Sequence, residues 1–552
     1  MSTRFVPRDF QPSLPLDRLV LSEAPSEEAV PMDVIFVGAG PAGLAGAIHL
    51  AQLVKQDNEG GGGLGEVEIA VLEKAEALGQ HSLSGSVVNP KPFRELFPDL
   101  SDADFPFRGP VQKEAVYMLT ENRSLRLPTP PTMHNRGNQV ASICEIVQWL
   151  GAKAEGLGVN VLTGFPAASL LTDGQRLAGV RTTAMGLDRD GNHSGNYEPP
   201  TDITAKVTAL AEGSRGMLAQ AWAEWQSVRG PNPQIYALGV KELWETKTPL
   251  DAVIHTLGWP LPKDAFGGSF LYPLEPNLLA LGLVVGLDYQ DASLDVHELL
   301  QRMKLHPLFK RYLQGGQLVE WGAKTIPEGG YHALLERSTG DGAIVLGDSS
   351  GLVDVPSLKG IHYAMQSGIY AARTIFAALK ADDTSAGKLA EYDRLLADSY
   401  VTKDLHRTRN MRLAFKDGFY AGGFKAAVMT ATGGRLFGGA PKFDEDAAEP
   451  KSVGAVKPFS PDGELTFRKV DAVFKSGNAT RDTIPSHVIA AADVPESVAQ
   501  FYARMCPAEV YELVDGKLRI NAPNCVDCKA TDVLGPRWTP REGGSGPRYR
   551  RM

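Results

Sequence analysis

Three groups of residues in this sequence have the types and spacings that do chemistry. The first is Gly38-Ala39-Gly40-Pro41-Ala42-Gly43, a G-x-G-x-x-G run, with Glu73 downstream. Glycines so placed let the chain turn tightly and bring backbone N–H groups against a pyrophosphate at a helix start, and a carboxylate such as Glu73 then hydrogen-bonds a ribose. The second is Gly347-Asp348-Ser349-Ser350-Gly351, far along the chain. Here a carboxylate and a helix start can meet the distal half of a long cofactor. The third is Cys506, Cys525 and Cys528. Their thiolates, on short loops, are of the kind that hold iron. Four cysteines among 552 residues are too few for a disulfide framework. Cys144 stands apart from the other three.

These groups require particular elements beneath them. The apolar run 33–37 predicts a strand, 44–54 a helix, and 67–72 a second strand ending at Glu73. Between them, 55–65 is polar and Gly-rich and reads as a surface loop that lengthens the interval to Glu73. A third strand over 205–210 leads into Leu210-Ala211-Glu212-Gly213, placing Gly213 as a middle contact. A late strand over 343–346 delivers Gly347 and Asp348, and a helix over 360–379 begins at Gly360. This set fits FAD better than a nicotinamide. FAD is long enough to need the second site, and a helix start near its ring stabilises negative charge on reduction. No second strand–G-x-G-x-x-G–helix unit offers a dedicated NAD(P)H domain. Further expectations are a helix over 140–156, a strand over 159–163, and two strands within 269–287 joined at 273–277.

Composition bounds the rest. At 552 residues the chain exceeds what one hydrophobic core usually serves, so two or three domains are expected. With 43% hydrophobic and 22% charged residues it is globular. Its net charge of -9 excludes a general nucleic-acid binder. The longest apolar run, 278–287, has ten residues, well short of the roughly 18 of a spanning helix. Arg8, Asp9 and Asp17 interrupt any signal peptide, which points to a chain that stays in the reducing cytoplasm. One window departs from the acidic average. Residues 403–435 carry seven Lys or Arg against two Asp, together with Phe415, Phe419, Phe424 and Val428. A basic segment with an aromatic face is what docking on an anionic bilayer requires, although Gly418, Gly422 and Gly423 weaken a single helix.

Several segments together resemble the electron transfer flavoprotein–ubiquinone oxidoreductase family. They are Leu72-Glu73-Lys74 with 79–85 (GQHSLSG), 266–272 (FGGSFLY), 281–290, Gly329-Gly330-Tyr331, 355–362 (VPSLKGIH), Cys506-Pro507-Ala508, and 520–522 with 525–529 (CVDCK). The similarity runs from about residue 30 to the end. It implies an α/β fold: an FAD-binding Rossmann-like domain of the glutathione reductase/p-hydroxybenzoate hydroxylase type (30–110, 136–225 and 335–385), interleaved with a quinone-binding α+β domain (226–334). It further implies a membrane-facing helical segment (386–440) and a ferredoxin-like iron–sulfur module (441–552). The implied cofactors are one FAD and one [4Fe–4S] cluster, and the implied partners are electron transfer flavoprotein, ubiquinone or another membrane quinone, and the membrane surface, with no nucleic acid. The expected location is peripheral, on the cytoplasmic face of a bacterial inner membrane. By the same resemblance His81, Ser84 and Gly85 meet the cofactor, and Gly267 and Gly268 meet the quinone headgroup. His81 and His362 are candidate proton donors, or packing residues.

One residue breaks the family pattern. It calls for a further cysteine three residues after Cys528, where this chain has Thr531. An alcohol holds its proton far more tightly than a thiol. The alternatives are a carboxylate from Asp527 or Asp532, a three-iron cluster, or no cluster. Two other functions remain alongside the quinone oxidoreductase: an NAD(P)H-dependent flavin reductase or hydroxylase of the same fold, and a non-catalytic FAD-binding partner protein.

Overall fold

The computed structural model describes residues 4–436 and 439–552, and every side chain among them except those of Asp417, Phe419 and Tyr420. The first sheet grows around the strand Val30–Val37, whose last four residues are all buried. A strand covered on both faces reads as a continuous apolar run, and Val34-Ile35-Phe36-Val37 is one. Ile69–Glu73 lies parallel on one side of it and Asp202–Leu210 parallel on the other. Asn160–Thr163 and Ala343–Val345 extend the parallel set outward. Antiparallel Arg176–Thr182 and Ala167–Asp173 complete that side.

The helix after the glycine turn runs Pro41–Glu59, with Pro at its first turn where its missing N–H costs nothing. It is longer than the sequence suggested and takes in residues read as loop, so only the Gly-rich stretch after Glu59 leaves the helix. Small residues let it lie hard against the late helix Ile361–Lys380: a Cβ on Gly368 would fall 2.2 Å from the Ala42 carbonyl oxygen. Residues 139–141 form a strand rather than the start of the expected helix, which begins at Ile143 with Ser142 as its N-cap.

A second, mostly antiparallel sheet holds the middle of the chain. Its order is Gln317–Pro327, Tyr236–Glu245, Leu278–Gly286, Gly267–Glu275, Val253–Gly258, Glu114–Leu119, Ser124–Leu127. Its apolar face packs Leu238, Trp244, Leu281 and Trp321 into the largest core cluster. On that face Lys304 pairs at 2.9 Å with Glu242, both fully buried, and Gln301 and the Trp244 indole donate to the same carboxylate.

The basic window is not one helix. Met411–Ala414 and Phe419–Ala431 are separated at Gly418, whose φ of +90° favours glycine. Phe415 therefore turns inward onto Phe266, with ring centroids 5.1 Å apart, instead of sharing a face with Phe424. Among the described residues no helix is long and apolar enough to cross a membrane. The last module is small: helix Glu496–Met505, hairpin Tyr511–Val514 with Lys517–Ile520, and short helix Ala530–Leu534.

Candidate functional site

A single cavity of about 910 Å³ lies where the two sheets, the basic window and the last module meet. That volume is at the upper end for small-molecule sites, roughly 300–1,000 Å³. Gly38, Gly40, Glu73, His81, Ser84, Gly85, Gly213, Asp348 and Gly360 line it, as do Gly267 and Gly268. Gly43 and Gly347 stand behind the wall.

The glycine turn assigns each glycine a different task. Gly38 has φ +109°, and a Cβ there would lie 2.5 Å from the Ala211 carbonyl oxygen, so it permits the turn. A Cβ on Gly43 would lie 2.1 Å from the Gly38 oxygen, so it seats the helix on the strand. A Cβ on Gly40 meets no atom within 4 Å and would project into open space at the cavity lining. Glu73 braces this loop, accepting from the Ala39 N–H (3.2 Å) and the Ala75 N–H (2.9 Å). At the far end Asp348 faces the cavity, and burial pushes its carboxyl up to about 6. Gly360 caps the helix Ile361–Lys380, and that helix start opens onto the same cavity. A Cβ-free cradle, a helix start and carboxylates at both ends suit a dinucleotide of FAD's length.

Both candidate histidines are neutral near pH 7. Burial holds His362 down at about 3, and it lies behind the cavity wall beside Tyr363. Burial and then the neighbouring Lys74 ammonium hold His81 well below the usual imidazole range.

Sequence reasoning missed a set of cavity lysines. Lys241, Lys324, Lys359 and Lys529 all line the chamber. Burial pushes Lys241 and Lys359 down to about 8 and Lys529 to about 7. The available signal was a lysine inside the apolar strand run Leu238-Gly239-Val240-Lys241, since a charge on a buried strand face needs a reason. Sequence reasoning also missed the pair His255 and Tyr272, whose Nε2 and hydroxyl lie 2.5 Å apart beside Gly268. Gly267 and Gly268 sit where strands crowd. Cβ atoms there would meet the Val284 oxygen at 2.0 Å and the Thr256 oxygen at 2.7 Å.

The helix Phe419–Ala431 forms part of the cavity wall. Gly423, Ala426, Thr430 and Ala431 line the chamber, while Phe424 is 68% exposed on the outer side. Some of the window's positive charge is used internally. Arg412 pairs with Glu328 (2.6 Å) and Asp288 (2.9 Å) and stacks over Phe266, and Lys416 reaches Glu449 at 3.5 Å.

Cys506, Cys525 and Cys528 line one small second cavity with Tyr511 and Thr531. Burial, together with the other two cysteines, pushes the Cys528 thiol well above its usual range. Burial pushes the Cys506 and Cys525 thiols up as well, against the opposing pull of Lys469 and Arg541, and a bound iron would reverse that balance. The donor set therefore suits an iron cluster. The Asp527 N–H already points at Cys525 Sγ, at 3.4 Å. Asp527 itself is a hub. Its carboxylate takes Lys74 (2.5 Å), Arg541 (2.8 Å) and the Trp538 indole N–H (3.0 Å), and these cations hold it well below the carboxylate range. Lys74 directly follows Glu73, so this ion pair ties the cysteine loop to the dinucleotide cradle.

Fold and cavities define a flavoprotein of the glutathione reductase/p-hydroxybenzoate hydroxylase type with an added iron–sulfur module. Residues 236–326 match the family model described as ETF-QO, ubiquinone-binding, and 463–550 match Electron transfer flavoprotein-ubiquinone oxidoreductase, 4Fe-4S. The chain is 37% identical to the mitochondrial electron transfer flavoprotein-ubiquinone oxidoreductase of Oryza sativa subsp. japonica, covering 95% of this chain and 93% of that one. It is 35% identical to a probable electron transfer flavoprotein-ubiquinone oxidoreductase of Acinetobacter baylyi, covering 95% and 99%, and 36% identical to the human mitochondrial protein, covering 96% and 90%. Among solved structures, a geranylgeranyl bacteriochlorophyll reductase-like protein of Thermoplasma acidophilum shares the fold at 18% identity (TM-score 0.57), covering 75% of this chain and 94% of that one. The chain belongs to the electron transfer flavoprotein-ubiquinone oxidoreductase family.

Proposed function

We propose that this protein takes electrons from reduced electron transfer flavoprotein and delivers them to ubiquinone in a membrane. The observation that carries this reading is the continuity of one chamber, from the glycine cradle past Gly267–Gly268 to the underside of the helix Phe419–Ala431. A flavin in the cradle and a lipid-soluble acceptor entering beneath that helix would share it. The first cavity would hold FAD, with Gly38, Gly40, Glu73, Gly213 and Asp348 as its contacts. The second would hold a [4Fe–4S] cluster on Cys506, Cys525 and Cys528. FAD supplies one- or two-electron transfer when bound, and the cluster passes single electrons.

The chain's own residues supply the rest. The Gly40 backbone and the following helix start would bind the pyrophosphate of FAD. Asp348 would accept from a ribityl hydroxyl. Gly267 and Gly268 leave room for a flat headgroup against strand backbone. Lys359 Nζ, brought to about 8, is mostly protonated at pH 7 yet close enough to that pH to release a proton to a reduced quinone oxygen. The exposed face of Phe424 with Ala421 and Ala427 rests in the interface, so that the mouth opens into lipid rather than water. In this reading residues 226–334 serve the quinone, 386–440 the bilayer and 441–552 the cluster. The protein is peripheral, on the cytoplasmic face of a bacterial inner membrane.

The test is steady-state reduction of a short-chain ubiquinone by the purified holoprotein, with reduced electron transfer flavoprotein as donor. Turnover with that donor and none with NADPH supports the reading. Rapid bleaching of the flavin by NADPH, with no turnover from the flavoprotein, would replace it with the hydroxylase reading.

A further inference from the structure

The cluster cavity has thiols for three corners of a four-iron cluster, and the fourth corner must be met by something else. Three of the other candidate ligands are already committed. Cys144 Sγ donates to the Ser82 and Met552 carbonyl oxygens within a separate apolar cluster. Asp532 receives Arg215 (2.8 Å) on one oxygen and the Trp538 N–H (3.1 Å) on the other, outside the cavity lining. Asp527 is neutralised by Lys74 and Arg541, and an iron would have to displace both. His487 is buried with both ring nitrogens unpartnered, and it lies within 4.8 Å of Cys525 Sγ and an Asp527 oxygen. It does not line the cavity, however, whereas its neighbour Val488 does.

Thr531 does line it. Its Oγ1 accepts from the Tyr511 hydroxyl at 3.2 Å, and Tyr511 is itself a cavity wall. Cys506 and Cys528 are buried, whereas Thr531, like Cys525, is half-buried. The corner without a thiol therefore has partial access to solvent.

We infer that Thr531 faces the fourth iron, so that this iron lacks a thiolate and is exchangeable and open to a small external ligand such as hydroxide or a free thiolate. The inference rests on the cluster of the proposed function. A neutral alcohol is a weak donor because the anion, not the protonated group, is the strong ligand. Three irons are then held by covalent anchors and one by an alcohol or solvent. Under mild oxidation the expected change is [4Fe–4S]²⁺ giving [3Fe–4S]⁺ plus Fe²⁺, with the one electron released taken up by the added oxidant, ferricyanide. The three cysteine thiolates stay bound throughout.

The experiment uses anaerobically purified holoprotein. Iron and sulfide per FAD are measured, ferricyanide is added, and the sample is followed by low-temperature EPR and by release of Fe²⁺ to a chelator. The inference expects loss of one iron in four with appearance of the three-iron signal, reversal on adding Fe²⁺ with a reductant, and at least a tenfold slower loss in Thr531→Cys. Retention of all four irons in the unaltered protein would overturn it without reference to any variant. Faster iron loss in His487→Ala than in the unaltered protein would also overturn it, naming the histidine as the ligand. A yellow protein with neither iron nor sulfide would remove the cluster itself and leave the flavin reading standing.

Discussion

Replacing Gly40 and Gly43 separately should divide cofactor binding from folding. Gly40 has φ -79° and ψ -179°, a conformation alanine adopts freely, and a Cβ there touches nothing in the protein. Gly40→Ala should therefore stabilise the FAD-free protein by about 0.4–1 kcal/mol, through the entropy removed from the unfolded chain. The same methyl fills the approach of the pyrophosphate to the loop amides. Losing two charge-assisted hydrogen bonds at about 1.5 kcal/mol each amounts to about 3 kcal/mol, or more than 100-fold in FAD affinity. Gly43→Ala is the opposite case. Its methyl would sit 2.1 Å from the Gly38 oxygen, which is backbone and can yield only by parting helix from strand. Overpacking of that kind costs about 1–3 kcal/mol before any cofactor is added. Urea denaturation of the FAD-free proteins and fluorescence titration with FAD measure both quantities. FAD affinity in Gly40→Ala equal to the unaltered protein would refute the cradle, as would destabilisation of its FAD-free form.

Phe424→Asp should weaken co-sedimentation with anionic vesicles by about tenfold or more, since burying a Phe contributes about 1.5–3 kcal/mol; unchanged binding would count against the interfacial helix. Lys359 has a folded value near 8, so its proton is in place at pH 7 and is lost as pH rises through 8. Quinone reduction should fall over that interval, and in Lys359→Met it should be slower and lose that inflection; an unchanged pH profile would rule the lysine out. Lys304→Met leaves the buried Glu242 carboxyl without its cation, at a cost of about 3–5 kcal/mol in the unfolding free energy measured by urea denaturation. Adding Glu242→Gln should recover much of this, and failure to do so would show that the pair matters through packing instead.

The dinucleotide half was legible because its signals are local. A strand, a glycine turn, a helix and an acid at the next strand end follow one another in sequence, and Val30–Val37, Pro41–Glu59 and Ile69–Glu73 took the expected places. The extension to Glu59 was missed because Lys55, Gln56 and Asp57 are polar, yet Asp57 accepts from Lys380 of the packed partner helix. The cavity lysines were not legible as a set, because Lys241 and Lys324 come from adjacent strands whose register only the folded sheet brings together. The interior turn of Phe415 was hidden for a related reason. Spacing alone treats Gly418 as a weak helix residue, whereas its backbone ends one element and starts another.

The ion pair between Lys74 and Asp527 has a kinetic meaning. It joins the segment carrying Glu73 to the loop carrying Cys525 and Cys528, across 453 positions of sequence and without solvent between them. Two redox centres mounted on these segments would keep a constant separation. Electron exchange between them should then be indifferent to solvent viscosity, and no tethered domain has to swing for it to occur. Viscosity would act only on the encounters with outside molecules: the protein donor arriving from water, and the quinone arriving from lipid.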